Sequence, residues 1–275
     1  MELYYGITVY STDEILMALL TQVDFDSIEE HEEHFIIYVK SSAFTEEVRI
    51  EMDQLLKSHN VEYKIAEIEP QNWNAIWEAS FQPVIVGNYC QVRADFHQAD
   101  PNIKYDLIIN PKMAFGTGHH ATTYMMIEHM SDIDFTGKKV LDFGCGTGIL
   151  AILASKSGAA EIDAIDIEHE SYLNTQENAD INDVDNILSI EGELGAAPSH
   201  HYDIILANIN RNILQRYATD ISGMMNAGSY LLLSGILEED ASQIIHTFTS
   251  EDLTPIKQSL KDGWVCISFS KAFRV

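Results

Sequence analysis

Two carboxylates, a run of glycines and one amide are the residues whose types and spacing suggest chemistry. Asp142-Phe143-Gly144-Cys145-Gly146-Thr147-Gly148 sets glycines at alternate positions behind an acidic residue. Glycine lets a turn reach dihedrals that other residues avoid, and it lets a ligand press against bare backbone. A helix that follows such a turn offers unpaired N–H groups to an anionic group such as a carboxylate. Asp166 lies 22 residues beyond Gly144, which suits a second strand end presenting a carboxylate to both hydroxyls of a ribose. The GxGxG spacing differs from the GxGxxG of dinucleotide binders. Asp142 would also sit badly beside a pyrophosphate, but well beside the cationic ammonium of an amino acid. The constellation predicts an S-adenosylmethionine site, with Gly144, Gly146 and Asp166 among its contacts.

These residues need particular elements to hold them. Val140–Phe143 reads as a short buried strand running into the glycine turn, with Ile149–Lys156 as the helix behind it. Further strands at Ile162–Ile165, Ile187–Ile190, Ile204–Ala207 and Tyr230–Ser234 alternate with helical patterns. A last pair, near Thr254–Ser259 and Trp264–Ala272, is joined by the turn signal Asp262-Gly263. The pattern predicts an α/β, Rossmann-like, mostly parallel sheet with an antiparallel C-terminal hairpin. Ligands of open parallel sheets lie at the carboxyl ends of strands. Asn208, directly after the fourth strand, therefore joins Gly144 and Asp166 at one crevice. Glu191-Gly192-Glu193 follows the third strand, where a polar side chain would meet the adenine.

The chain before this domain has a different character. Residues 1–69 hold 16 acidic and 4 basic side chains, net −12, whereas residues 70–275 hold 27 and 12, net −15. Strand patterns at Leu3–Tyr10, Phe25–Glu29, His34–Lys40 and Val61–Glu67 enclose helical ones at Thr12–Gln22 and Phe44–His59. The order β-α-β-β-α-β predicts a small ferredoxin-like α+β domain over residues 1–69. Residues 70–83 read as a linker helix with Trp73 and Trp77 on one face. The larger domain then occupies residues 84–275, opening with an interrupted strand-like stretch from Val84 to Ile109.

Composition narrows the function classes. A net charge of −27 repels phosphate backbones, which argues against direct nucleic-acid binding and favours a basic partner. Three scattered cysteines make neither a disulfide framework nor a thiolate metal site. His119-His120, His200-His201 and His31 with His34 lack acidic or thiolate partners at ligand spacing, so no metal is expected. Cys145, enclosed by glycines and without a basic neighbour, reads as a small filler rather than a nucleophile. No apolar run approaches the roughly 20 residues of a membrane span, and Met1-Glu2-Leu3-Tyr4-Tyr5 lacks signal-peptide character. The chain is read as a cytoplasmic monomer.

One further stretch is more specific than the glycine loop. Pro111-Lys112-Met113-Ala114-Phe115-Gly116-Thr117-Gly118-His119-His120-Ala121-Thr122-Thr123, followed by the loop, Asp166 and Ala207-Asn208-Ile209, resembles the bacterial ribosomal protein L-eleven (L11) methyltransferases. The resemblance covers nearly the whole chain. It implies transfer of methyl groups to lysine side chains, and to the N-terminal amine, of ribosomal protein L11. It also implies cofactor contacts at Thr123, Gly144, Asp166 and Asn208, with Thr117 and Gly118 close to the methionine end. The small domain would then recognise the substrate. Lys112, His119-His120-Ala121 and Asn210 depart from the family's usual glycine, Thr-His-Pro and leucine.

Methyl transfer from a sulfonium needs a neutral amine held in line, and positioning supplies much of the rate. Asn208 is the expected catalytic residue, its carbonyl accepting hydrogen bonds from the amine and orienting it. The alternatives are a methyltransferase acting on another protein, on nucleic acid or on a small-molecule amine, and a module that binds the cofactor without turnover. The charge and the lack of a Pro-Pro-aromatic run after Asn208 weigh against nucleic acid.

Overall fold

A computed structural model describes residues 4–13, 16–17, 20, 27–31, 33–59, 61–68, 82–110, 120–198 and 201–272. The chain divides into two compact units, Met1–Ser80 and Phe81–Val275.

In the first unit, β1 (Tyr4–Val9), β2 (Ser27–Glu30), β3 (Phe35–Lys40) and β4 (Tyr63–Ile68) form one antiparallel sheet in the order β2-β3-β1-β4. That is the strand order of the ferredoxin-like fold predicted from the sequence. Alternation decides the buried face: Phe35, Ile37 and Val39 are buried while Ile36, Tyr38 and Lys40 are only partly so. Helix α1 (Glu46–Ser58) begins where the Thr45 hydroxyl accepts from the Val48 N–H at 3.3 Å, with Glu46 and Glu47 in its first turn and Lys57 in its last. Met52 and Leu56 on α1 join Ile7, Val9 and the β3 residues in a single core, together with Leu16 and Leu20. Leu16, Met17 and Leu20 are helical, within the helix predicted over Thr12–Gln22.

The second unit is built on a seven-stranded sheet. Its strands are β8 (Lys139–Phe143), β9 (Glu161–Asp166), β10 (Ile187–Glu191), β11 (Tyr202–Asn208), β12 (Met225–Leu237), β13 (Leu253–Lys261) and β14 (Trp264–Lys271). Their order is β10-β9-β8-β11-β12-β14-β13; the strands run parallel except β14, which runs opposite to both β12 and β13. Strand order therefore reverses beside β8, and the crevice above β8 and β11 is where an open α/β sheet takes its ligand. Alternate residues of each strand feed opposite cores. Val140, Ile204 and Leu206 face one, while Leu141, Ile205 and Ala207 face the other.

Helices α2 (Ala121–Met130) and α3 (Ile149–Lys156) contribute to the first of these cores. Helices α5 (Arg211–Arg216), α6 (Ala218–Gly223) and α7 (Ala241–Thr249) contribute to the second. A small sheet of β5 (Val84–Val86), β6 (Cys90–Arg93) and β7 (Tyr105–Ile108) adds Val86, Cys90, Val92 and Leu107 to the first.

Helix α4 (His169–Ile181) is a less usual element, because its buried face is mostly polar: Ser171, Asn174, Thr175 and Asn178. Asn178 donates to the Thr147 carbonyl at 2.9 Å and accepts from the Asn110 N–H at 3.2 Å. Asn182, just past the helix, accepts from the Ile108 N–H at 3.0 Å and donates to the Ile108 carbonyl at 2.6 Å. These amides fasten the chain around the end of β7 to α4 and to the glycine loop.

Two sequence expectations fall largely outside the described residues. The motif residues 111–119, with Lys112, Thr117, Gly118 and His119, do so entirely. Of the linker helix expected over 70–83, only Gln82 and Pro83 are described, and they are not helical; proline removes a donor there and would disfavour helix at the residue before it.

Candidate active site

The glycine loop is built by three tight constraints. Gly144, Gly146 and Gly148 all adopt positive φ (77°, 56° and 78°), a region that side chains make costly. The N–H groups of Gly144 and Cys145 both donate to the Ile165 carbonyl, at 2.8 and 3.1 Å. Thr175 on α4 donates to the Gly146 carbonyl at 3.0 Å. The Gly146 N–H in turn donates to Asp166 Oδ2 at 3.0 Å, and Asp166 Oδ1 accepts from the Glu168 N–H at 3.0 Å. The second strand end and the loop thus fix one another.

A cavity of about 680 Å³ opens over this loop, within the range of small-molecule sites. Of the site residues expected from the sequence, Thr123, Gly144, Gly146, Asp166 and Asn208 border it, while Thr117 and Gly118 lie outside the described residues. Glu193 borders it too, whereas Glu191 of the same acidic turn is exposed and pairs with His169 at 2.7 Å. Of the unforeseen residues on its wall, Trp264 begins β14, and its ring meets that of His120 edge-on at 5.0 Å. His120 also caps α2, its Nδ1 accepting from the Thr122 N–H at 3.3 Å. Tyr217 meets Phe143 edge-on at 5.5 Å and donates to Glu193 at 3.1 Å. Asn210, a departure from the resembled family, caps α5 by accepting from the Ile213 N–H at 3.1 Å. Sequence reasoning had one usable signal for this wall: Trp264 directly follows the Asp262-Gly263 turn at the end of a sheet.

Polar atoms around the loop carry the electrostatics. Asp142 is buried in β8, and its Oδ2 accepts from the Ala151 N–H in the first turn of α3 at 3.0 Å. Burial pushes its carboxyl up to about 7, partly offset by that N–H, with the Asp166 charge adding to the rise. Asn208 donates from Nδ2 to Thr123 Oγ1 at 3.3 Å. Asp142 Oδ1 and Asn208 Oδ1 are both buried, and among the described residues neither has a hydrogen-bond partner. An unpaired buried acceptor is costly, so Asn208 Oδ1 on the cavity wall, with the Asp142 carboxyl buried just before the glycine turn, suits a cationic ligand. The residues present therefore fit S-adenosylmethionine, which carries a sulfonium and an ammonium.

Cys145 contacts Thr175 Oγ1 at 3.3 Å, and burial holds its thiol far above the ordinary range. That agrees with a filler and not with a nucleophile. Among the described residues, no group of three or more His, Cys, Asp and Glu side chains is arranged to hold a metal ion.

The sheet order, the glycine turn and the strand-end Asp and Asn on one cavity define a Rossmann-like methyltransferase that uses S-adenosylmethionine. The chain belongs to the ribosomal protein L11 methyltransferase family, whose family model matches residues 9–272. It is 37% identical over 263 residues to the ribosomal protein L11 methyltransferase of Bacteroides fragilis, covering 94% of each chain. It is 38% identical over 268 residues to that of Porphyromonas gingivalis, covering 96% of this chain and 92% of the other. The solved structure of a ribosomal protein L11 methylase from Lactobacillus delbrueckii subsp. bulgaricus is similar with a TM-score of 0.63 at 24% identity. That match covers 70% of this chain and 100% of the other, and it speaks to the fold.

Proposed function

We propose that this chain methylates amino groups of ribosomal protein L11, both lysine side chains and the N-terminal amine, acting as a monomer in the cytoplasm. The observation that carries the reading is Asn208 Oδ1, a buried acceptor at the end of β11 with no partner among the described residues. The names of the curated relatives supply the substrate.

Thr123, Gly144, Gly146, Asp166 and Asn208 hold the cofactor. Asp166 accepts the ribose hydroxyls, and Gly144 and Gly146 let the ligand approach their backbone. When bound, S-adenosylmethionine supplies an electrophilic methyl group on a sulfonium. Asn208 accepts an N–H of the incoming amine and turns its lone pair toward that methyl. A free lysine has a pKa near 10.4, so the ammonium must first pass a proton to bulk water as it enters; exclusion of water and the neighbouring positive charge both favour the neutral form thereafter. Positioning then supplies much of the rate, without a general base. Residues 1–69 recognise the basic substrate, and residues 84–275 carry out the transfer.

The test is to incubate the protein with labelled S-adenosylmethionine and, separately, ribosomal protein L11, total rRNA and cell metabolites. Label is expected in the protein, released on hydrolysis as methylated lysine and a methylated N-terminal residue. Label entering RNA but not protein would overturn the reading. Tight cofactor binding with no transfer to any acceptor would instead indicate a non-catalytic module.

A further inference from the structure

Strand β12 contains an irregularity level with the end of β11. β11 and β12 run in parallel register up to Asn208 opposite Ser234, which brings Ile209 alongside Gly235. On its other side β12 pairs Leu233 with Ile267 and Ile236 with Val265, so β12 spends one extra residue there. Such a bulge re-aims the chain, and bulges are frequent beside active sites. Ser234 secures it by donating from its buried hydroxyl to the Val265 carbonyl at 2.9 Å. Gly235 adopts φ +82° and borders the cavity.

The space at Gly235 is filled by one neighbour. A Cβ there would stand 2.4 Å from the Ile209 carbonyl oxygen, 2.8 Å from its carbon and 3.0 Å from its nitrogen. All three atoms are backbone, so no flexible side chain can yield. At Gly144 a Cβ would stand 2.2 Å from Ile209 Cγ2. Ile209 is therefore gripped between a glycine after β8 and a glycine in the β12 bulge. Its neighbours are tied as well, Asn208 to Thr123 at 3.3 Å and Asn210 to the Ile213 N–H at 3.1 Å.

We infer that the Ser234–Gly235 bulge is a positioning device for the methyl acceptor: by seating the Ile209 peptide it fixes where Asn208 Oδ1 meets the amine. This rests on the proposed function of Asn208. Gly235 is a positioning residue and acts through the Asn208–Asn210 loop. Its missing side chain points at that loop's backbone; of the cofactor contacts only Asn208 belongs to that loop, while Thr123, Gly146 and Asp166 stay in place, so the bulge governs turnover more than cofactor affinity.

Gly235→Ala and Ser234→Ala in the full chain test this by three readouts. These are kcat on ribosomal protein L11, calorimetric affinity for S-adenosylmethionine, and hydrogen exchange over residues 208–213 in the protein alone. Gly235→Ala is expected to lower kcat about 100-fold, the scale on which small misplacements act, while cofactor Kd stays within about threefold. Exchange over 208–213 should quicken while the rest of the sheet is unchanged. Ser234→Ala should move the same readouts in the same direction by about tenfold in kcat; it decides the matter if Gly235→Ala does not fold. A kcat within about twofold of the parent, or cofactor affinity falling as far as kcat, would overturn the inference. If the unaltered protein fails to methylate ribosomal protein L11, the proposed function fails instead. Exchange then decides alone, and unchanged exchange over 208–213 in both variants would overturn the inference.

Discussion

Asp142 is the residue whose charge the cleft must manage, since it is buried and carries an oxygen with no partner among the described residues. Its carboxyl, raised from 3.8 to about 7, holds its proton in the folded state where the unfolded chain has lost it. Unfolding therefore releases a proton between those values, and stability falls as pH rises from about 4 to 7, levelling above it. The full penalty is on the order of a few kcal/mol. Asp142→Asn keeps an acceptor for the Ala151 N–H and removes the penalty. In denaturant titrations without cofactor, the variant's advantage should be absent near pH 4, grow to neutrality and then plateau. An advantage independent of pH would show that burial does not hold the proton there. With cofactor bound, the same substitution should weaken affinity, because a carboxylate buried just before the glycine turn no longer adds its charge to the field at the cation. Calorimetry should register a loss of about tenfold.

At the scale of elements, α2 brings Thr123 to the cavity, and His129 near its other end fixes the helix to the sheet. His129 Nδ1 lies 2.7 Å from Ser268 Oγ on β14, and Nε2 lies 2.8 Å from Ser259 Oγ on β13. Burial lowers its pKa from 6.5 to about 4. The unfolded chain then binds a proton that the folded one refuses, so stability falls as pH drops from about 6.5 toward 4, by about 3 kcal/mol at the lower end. His129→Gln should flatten that part of the stability–pH curve in urea melts; an unaltered slope would assign it to other groups. The sequence made the main sheet and the loop legible because their signals are local: glycine spacing, Asp142 and Asp166 all lie within one strand–turn–helix–strand stretch. The bracing was not legible. Asn178 belongs to a buried polar face of α4 and Asn182 caps its end, positions that hydrophobic periodicity assigns to solvent, and their partners Asn110 and Ile108 lie far away in the chain. Ser234-Gly235 inside an apolar run signals a bulge or a close backbone approach, but which neighbour approaches, the Ile209 peptide, shows only in three dimensions. Asn210, which the sequence flags as a family departure, has a local role as a helix cap.

For the molecule as a whole, the net charge of −27 is the property a basic protein substrate would meet first. Among the described residues no helix is long and apolar enough to cross a membrane. Long-range attraction between opposite charges is screened as the Debye length shrinks, and it acts on encounter more than on chemistry. Raising salt from about 0.05 to 0.5 M should therefore raise KM for ribosomal protein L11 about tenfold and leave kcat nearly constant. A KM indifferent to salt would leave the acidic surface a solubility feature. The central claim is that the cavity above β8 and β11 carries an amine to the methyl donor by way of Asn208. Mass spectrometry of ribosomal protein L11 after incubation with S-adenosylmethionine and either the unaltered protein or Asn208→Ala tests it most directly. Methyl increments on amino groups are expected with the unaltered protein. With Asn208→Ala the rate should be about 100-fold lower, the scale of losing one aligned hydrogen-bonding group in a water-excluded site, even when the cofactor is saturating. Equal methylation by both proteins, or increments absent from ribosomal protein L11 with the unaltered one, would contradict it.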